Sequence, residues 1–346
     1  MPDLFESLRR SLKPFFKWIP PFYREKIIYP YITYYTKPLK VPKPHVVVLE
    51  LSNLCNLNCK ICTRPDSDAP VGNMDVALAK DVIKKARDCG IQQLGFHTVG
   101  EPLLYPHLKE VLLFAKDVGF PIGISTNANL LTKEKADMLL ALNINNIRVS
   151  LEGTGEIYNE LREKGDFFTA IENIKYIHNK RVNDRSPRIS LNYVLTKDSI
   201  KSIQDFQKNY AYLFDHITYC PLINQGCVKN PYVENNSVVL LTNDKYPCFN
   251  LWVNMYVTFN GEVSVCCVDY NHKLIVGNIQ KDSLLNIWNS KQYQSYRRIN
   301  REGRVNAIPY CKNCTMPVLL SKFYMKRIAN RVNEECGTDI KILDSI

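Results

Sequence analysis

His45-Val-Val-Val-Leu-Glu-Leu-Ser-Asn-Leu-Cys-Asn-Leu-Asn-Cys-Lys-Ile-Cys62 begins as a β-rich run and ends on three cysteines, Cys55, Cys59 and Cys62. The spacing is C-x-x-x-C-x-x-C, one ligand short of a closed site. Structural zinc takes four protein ligands, usually from C-x-x-C pairs. A cubane iron–sulfur cluster that only carries electrons also takes four thiolates. Three thiolates on one short loop leave one iron open to a substrate or cofactor, so the loop reads as a place for chemistry.

A strand–helix rhythm follows outward from that loop. Strand-like runs fall at 45–52, 92–98, 121–126, 145–151, 188–195 and 216–221, and helical patterns near 74–88, 107–118, 133–142, 167–180 and 199–213. Short apolar runs alternating with amphipathic helices indicate parallel βα units. Six units fall short of the eight of a closed barrel. The expected fold is α/β: a partial (β/α)6 TIM-like barrel with a small C-terminal α+β cluster-binding domain. The expected boundaries are an aromatic-basic arm at 1–44, the barrel at 45–222 and the second domain with a C-terminal helix at 223–346.

In parallel βα barrels, active residues collect at the C-terminal ends of the strands. Here those ends carry Gly100, Glu101, Ser125, Asn127 and Ser150. Each alone reads as a turn residue; their recurrence at successive strand ends points to one shared mouth.

With these residues in place, the chain resembles the radical S-adenosylmethionine (SAM) enzymes. Cys55, Cys59 and Cys62 match the family's cluster motif. Gly100-Glu101-Pro102 resembles its Gly-Gly-Glu segment, which holds the methionine amino group. Ser125-Thr-Asn127 resembles the strand end lining the SAM pocket, and Ser150 with Arg162 resembles the pair that holds the SAM carboxylate. The chain departs from the family pattern at Ile61, where an aromatic is usual, at Val99 in place of the first glycine, and at Glu152 in place of an aspartate. The resemblance implies a [4Fe–4S] cluster that binds SAM and releases a 5′-deoxyadenosyl radical able to take hydrogen from an unactivated carbon.

Beyond residue 222, Trp252 to Phe259 and Glu262 to Val268 flank Asn260-Gly261, a strong hairpin signal. Helical stretches near 283–299 and 317–334 follow. This part resembles the SPASM/twitch extensions of the same superfamily. The resemblance implies that Cys248, Cys266, Cys311 and Cys314 hold one auxiliary [4Fe–4S] cluster, although the spacing alone also permits zinc. Cys267 follows Cys266 on an expected strand, where alternation points it to the opposite face. Cys220, at the end of the sixth strand and facing the mouth, Cys227 in a loop, and Cys267 are candidate hydrogen-atom donors; each also reads as an ordinary thiol. Cys89 and Cys336 read as small packing residues.

Composition sets the outer limits. The 346 residues are 45% hydrophobic, enough for a full core. No apolar run approaches the roughly 18 residues of a membrane span, and no signal peptide is readable, so the expected compartment is the cytoplasm. Twelve cysteines then favour thiolate ligation over disulfides. The net charge of +11 comes without any nucleic-acid motif; it suits an acidic electron donor such as a flavodoxin or ferredoxin. The arm interleaves Phe15, Phe16, Trp18 and Tyr23 with basic residues, which suits peripheral membrane contact or packing against the main domain.

The expected function is radical SAM oxidation of a small sugar- or aminocyclitol-like substrate, with the auxiliary cluster as electron acceptor. The rivals are a radical SAM epimerase, a peptide-modifying maturase, and a non-enzymatic electron-transfer or metal-binding protein. The substrate, the choice between dehydrogenation and epimerisation, whether Cys266 or Cys267 is the auxiliary ligand, the role of the arm and the oligomeric state are left open by the sequence.

Overall fold

The computed structural model describes residues 37–181, 186–224, 230–237, 247–316, 330, 332–334 and 336–338. Cys227, nearly all of the 1–44 arm and most of the expected 317–334 helix lie outside these residues. Six parallel strands form the barrel part: β1 (Val46–Leu49), β2 (Gln93–Gly95), β3 (Gly123–Thr126), β4 (Asn146–Ser150), β5 (Arg188–Leu195) and β6 (His216–Pro221). Their hydrogen bonding divides into two ladders, β3-β4-β5-β6 and a second containing β1 and β2.

The C-terminal segment joins that second ladder. Strand β7 (Asn254–Val257) pairs parallel with β1, in the register Val46↔Asn254 to Leu49↔Val257. Strands β8 (Glu262–Ser264) and β9 (Ile275–Asn278) follow antiparallel, giving the order β2-β1-β7-β8-β9. The hairpin signal is thus correct, with Gly261 at φ +82° in the turn, but its strands are shorter than the apolar pattern. Trp252 lies in the helical turn Asn250–Val253, not in β7, and β8 stops at Ser264, where its register shifts against β9. The expected helix at 283–299 is two, Leu284–Trp288 and Lys291–Arg301, because Ser290 caps the second.

The helices cover the outer face of the strands in the usual amphipathic way. Helix Val76–Asp88 starts at Asp75, whose side chain accepts from the N–H groups of Ala77 and Leu78, and it buries Leu78, Ala79, Val82, Ile83 and Ala86 along one stripe. The strands alternate accordingly. In β4, Ile147 and Val149 are buried against this layer, while Asn146, Arg148 and Ser150 face inward. In β3, Gly123 and Ser125 do the same. Bulky aliphatic side chains fill the interior of a closed barrel; small and polar residues at these inward positions leave an open cavity instead.

One buried cation ties Leu39 to the C-terminal segment. The Arg297 guanidinium lies between the Trp288 and Tyr293 rings, 4.3 and 4.4 Å from their centroids. Its Nε donates to the Leu251 carbonyl (2.8 Å) and Nη1 to that of Leu39 (2.9 Å). Burial pushes its pKa down to about 10. Trp252 Nε1 donates to the Pro38 carbonyl beside it. Removing Arg297 leaves the buried Leu251 carbonyl and the half-buried Leu39 carbonyl without this donor and opens a void between two rings. Arg297→Ala is therefore expected to lower stability by about 3 kcal/mol in urea unfolding. Arg297→Lys, which keeps the charge but not the planar fork, should recover less than half of that loss. Wild-type stability in the alanine variant would show that the contact carries no weight.

Candidate functional site

The cysteine loop leaves the C-terminal end of β1 and is held from several sides. Asn58 N–H donates to the Glu163 carbonyl and Lys60 N–H to that of Leu161, both at 2.9 Å, and Asn230 Nδ2 donates to the Lys60 carbonyl at 2.9 Å. Each sulfur has a donor aimed at it: Leu57 N–H at Cys55 Sγ (3.5 Å), Arg64 N–H at Cys62 Sγ (3.4 Å) and Arg162 Nη1 at Cys59 Sγ (3.9 Å). The Tyr270 hydroxyl, from the C-terminal segment, also bonds to Cys62. Burial pushes all three thiols up, Cys59 to about 12. Burial thus favours the neutral thiols, and the positive charge of bound iron is what makes thiolates favourable there. Three sulfurs with N–H and O–H donors fit a cluster, whose potential such bonds tune.

Gly100 presses its backbone against this loop. It has φ +84°, and a Cβ there would sit 2.6 Å from both the Ser52 and Leu54 carbonyl oxygens. Only glycine allows that approach. Next to it, Glu101 N–H donates to the Leu54 carbonyl (2.7 Å). The buried Glu101 carboxylate accepts from Thr126 Oγ1 (2.7 Å), Asn127 N–H (2.8 Å) and Leu103 N–H (3.2 Å). Burial raises its pKa and those bonds pull it back. Asn127 Nδ2 in turn donates to Asn56 Oδ1 inside the cysteine loop (3.0 Å).

Arg162 ends the helix Gly155–Leu161. Its Nε and Nη2 grip Glu152 Oε1 and Oε2 at 2.7 and 2.9 Å, and both side chains are buried. The bidentate geometry compensates the desolvation of both charges. Glu152 in place of the expected aspartate is therefore the residue that orients Arg162 towards Cys59. Composition and spacing gave no signal for this role; nor did they for Asn230 or Tyr270.

Gly100, Glu101, Ser125, Asn127, Ser150 and Arg162 all line one cavity of about 760 Å³, together with the three loop cysteines. Asn192, paired in register with Ser150, joins them; its place at the next strand end was the available signal. The opposite wall comes from the C-terminal segment, including Asn250, Tyr256, Cys267 and Tyr270. Cys220 is half-buried and donates to Asn192 Oδ1 at 3.1 Å, with its pKa pushed up to about 11 by burial.

A second, smaller cavity of about 40 Å³ is framed by Cys248, Cys266, Cys311 and Cys314, and by Cys267 as well. The expectation that Cys267 faces away from Cys266 fails because β8 ends at Ser264, so alternation no longer applies. No disulfide joins any of the described cysteines. Cys266 hydrogen-bonds to Cys267, which also accepts from the Tyr256 and Asn250 side chains; Cys267 is held below the ordinary thiol range and Cys266 above it. The thiols surround one space, a donor set that fits a cubane.

Comparison with known proteins agrees with this geometry. Residues 49–208 match the model of the radical SAM superfamily, and residues 248–315 match that of the SPASM iron–sulfur cluster-binding domain. The chain belongs to the radical SAM superfamily and carries a SPASM domain; its cofactors are [4Fe–4S] clusters and SAM. It is 24% identical to a tungsten-containing aldehyde ferredoxin oxidoreductase cofactor-modifying protein of Pyrococcus furiosus, covering 78% of this chain and 86% of the relative. It is 23% identical to an S-adenosyl-L-methionine-dependent 2-deoxy-scyllo-inosamine dehydrogenase of Niallia circulans, covering 78% and 92%. Among solved structures, BtrN in complex with AdoMet and 2-DOIA superposes with a TM-score of 0.58 at 20% identity, over 78% of this chain and 92% of that one. The anSMEcpe enzyme with bound AdoMet gives 0.62 at 15%, over 84% and 96%.

Anaerobic reconstitution is expected to load about eight irons per chain, the content of two cubanes. The triple variant Cys55→Ala, Cys59→Ala, Cys62→Ala should retain about half. Gly100→Ala, far from any sulfur in bonding terms, should also lose iron from the first site, since its Cβ displaces the loop. Iron content by colorimetry and Mössbauer spectroscopy decides it; full loading of the Gly100→Ala protein would separate that glycine from the loop's geometry.

Proposed function

We propose that the chain is an oxidoreductase that removes hydrogen from a small sugar- or aminocyclitol-like substrate and passes the remaining electron to an auxiliary cluster held by Cys248, Cys266, Cys311 and Cys314. The barrel at 45–222 holds SAM and substrate, and the segment from 223 holds the acceptor. One observation carries this reading: Asn250, Cys267, Val268 and Met316 line both cavities. The two chambers share a wall, so an electron leaving the larger one has the acceptor beside it. The sequence likeness to an aminocyclitol dehydrogenase supports the substrate class.

The reduced first cluster and SAM supply a 5′-deoxyadenosyl radical. The protein's own groups do the rest. Glu101, its carboxylate anchored by Thr126 and Asn127, would hold the SAM amino group, and Ser150 and Arg162 would hold its carboxylate. Wall residues from 249–270 cover one side of the chamber, which limits the access of water to a radical formed there. Cys220 supports an epimerase reading less well, because its thiol is engaged by Asn192 and does not line the cavity. The net charge of +11 favours an acidic flavodoxin- or ferredoxin-like reductant.

Reconstituted protein with SAM and a strong reductant is expected to form 5′-deoxyadenosine. Absence of that product in fully iron-loaded protein would remove the radical assignment. A Cys311→Ala, Cys314→Ala variant should still cleave SAM yet yield no oxidised product from an aminocyclitol turned over by the wild type. Incorporation of solvent deuterium into a recovered, isomerised substrate would instead establish the epimerase. Reduction by a flavodoxin should slow as ionic strength rises, because screening shortens the reach of charge; a rate indifferent to salt would dismiss electrostatic steering.

A further inference from the structure

The larger cavity carries an unbalanced positive charge. Among the described residues that line it, Glu101 is the one carboxylate, against Arg64, Arg148 and Arg162. Arg162 is matched by Glu152. Arg64 lies beside the thiols of Cys55 and Cys62, and its Nη2 donates to the Leu57 carbonyl at 3.1 Å. Arg148 is different. It projects inward from the middle of β4, and among the described residues it has neither a hydrogen bond nor an ion pair. His97, just past β2, faces the same space and likewise has no hydrogen-bond partner among the described residues. Crowding by the surrounding wall, and then the charge of Arg148, lower the His97 pKa, although its ring stays open to the cavity. Two basic side chains have been brought together with no acid between them.

The loaded groups leave this imbalance in place: an oxidised [4Fe–4S] core with three thiolates would carry one net negative charge and SAM one net positive charge, so the two offset each other. Arg148 and His97 are both exposed to the open cavity, so the guanidinium is available to a ligand there and is not committed to a protein partner. We infer that Arg148 and His97 form a subsite for an oxyanion, a phosphate or carboxylate carried by the small substrate. This rests on the proposed reading of the cavity as the reaction chamber. Arginine's planar fork suits two oxygens of such a group, and the neutral imidazole adds one N–H donor. Asn146, on the same inward face of β4, and Asn192 supply amides nearby. Arg148 lies two residues before Ser150 on the strand, about 7 Å deeper at the usual rise. The charged end of the substrate is thereby held in the barrel, leaving its reacting carbon towards the strand ends.

The test uses reconstituted, [13C]histidine-labelled protein titrated with inorganic phosphate, with acetate and with chloride at matched ionic strength. The His97 ring signal, identified by its loss in His97→Gln, should move saturably with an oxyanion and not with chloride. In Arg148→Gln the midpoint should shift by about ten-fold or more, the worth of a charge-assisted pair. A response to phosphate alone identifies a phosphoester group, and one to acetate alone a carboxylate. No movement, or the same movement with chloride, overturns the subsite. The wild-type titrations decide this even if Arg148→Gln does not fold. Formation of 5′-deoxyadenosine from SAM is measured separately on the same preparation: its presence without an anion response removes only the subsite, and its absence beside a clear response removes only the radical assignment.

Discussion

Strand β1 is hydrogen-bonded along both edges, to β2 on one side and to β7 on the other. The three-cysteine loop leaves its C-terminal end. The segment that bears Cys248 enters β7 through Asn250–Val253, and the segment that bears Cys266 and Cys267 follows β8. Four residue pairs of one parallel ladder therefore fix the two thiol sets relative to each other. Val47 and Leu49 of β1, and Met255 and Val257 of β7, are fully buried, so sliding that ladder by one residue would turn an apolar face into the cavity. The relative placement of the two cysteine sets is as rigid as this pairing.

Within that frame, charge is handled pair by pair. Arg162 and Glu152 neutralise each other while leaving Nη1 directed at Cys59. Glu101 accepts from three donors, on Thr126, Asn127 and Leu103. These are costly groups to bury, and each is satisfied by a named partner. Arg148 differs in being exposed to the cavity, with no such partner among the described residues.

Much of this was readable in the sequence, for physical reasons. Parallel strands buried on one side by helices appear as apolar runs, and all six appeared in order. The cysteine loop was legible because ligand spacing is a local property. What could not be read depends on contacts between distant residues. The division of the barrel strands into two ladders and the attachment of β7 to β1 are set by packing across more than 200 residues of chain. The pairing of Cys266 with Cys267 around one cavity hung on where β8 ends, and the apolar run Val263 to Val268 conceals that end. Glu152 looked like a departure from a family pattern; only its partner Arg162 shows what the longer side chain reaches.

The wall shared by the two cavities has a further consequence. Asn250 and Cys267 present one side to the chamber and the other to the auxiliary thiols. A substitution there that reshapes the chamber for a new substrate also alters the hydrogen bonding around the auxiliary sulfurs, and with it the ease of their reduction. Substrate range and electron affinity cannot drift independently at these positions. Diversification of this scaffold by stepwise mutation is thereby steered towards the barrel side, where β3 and β4 can change without disturbing the second site.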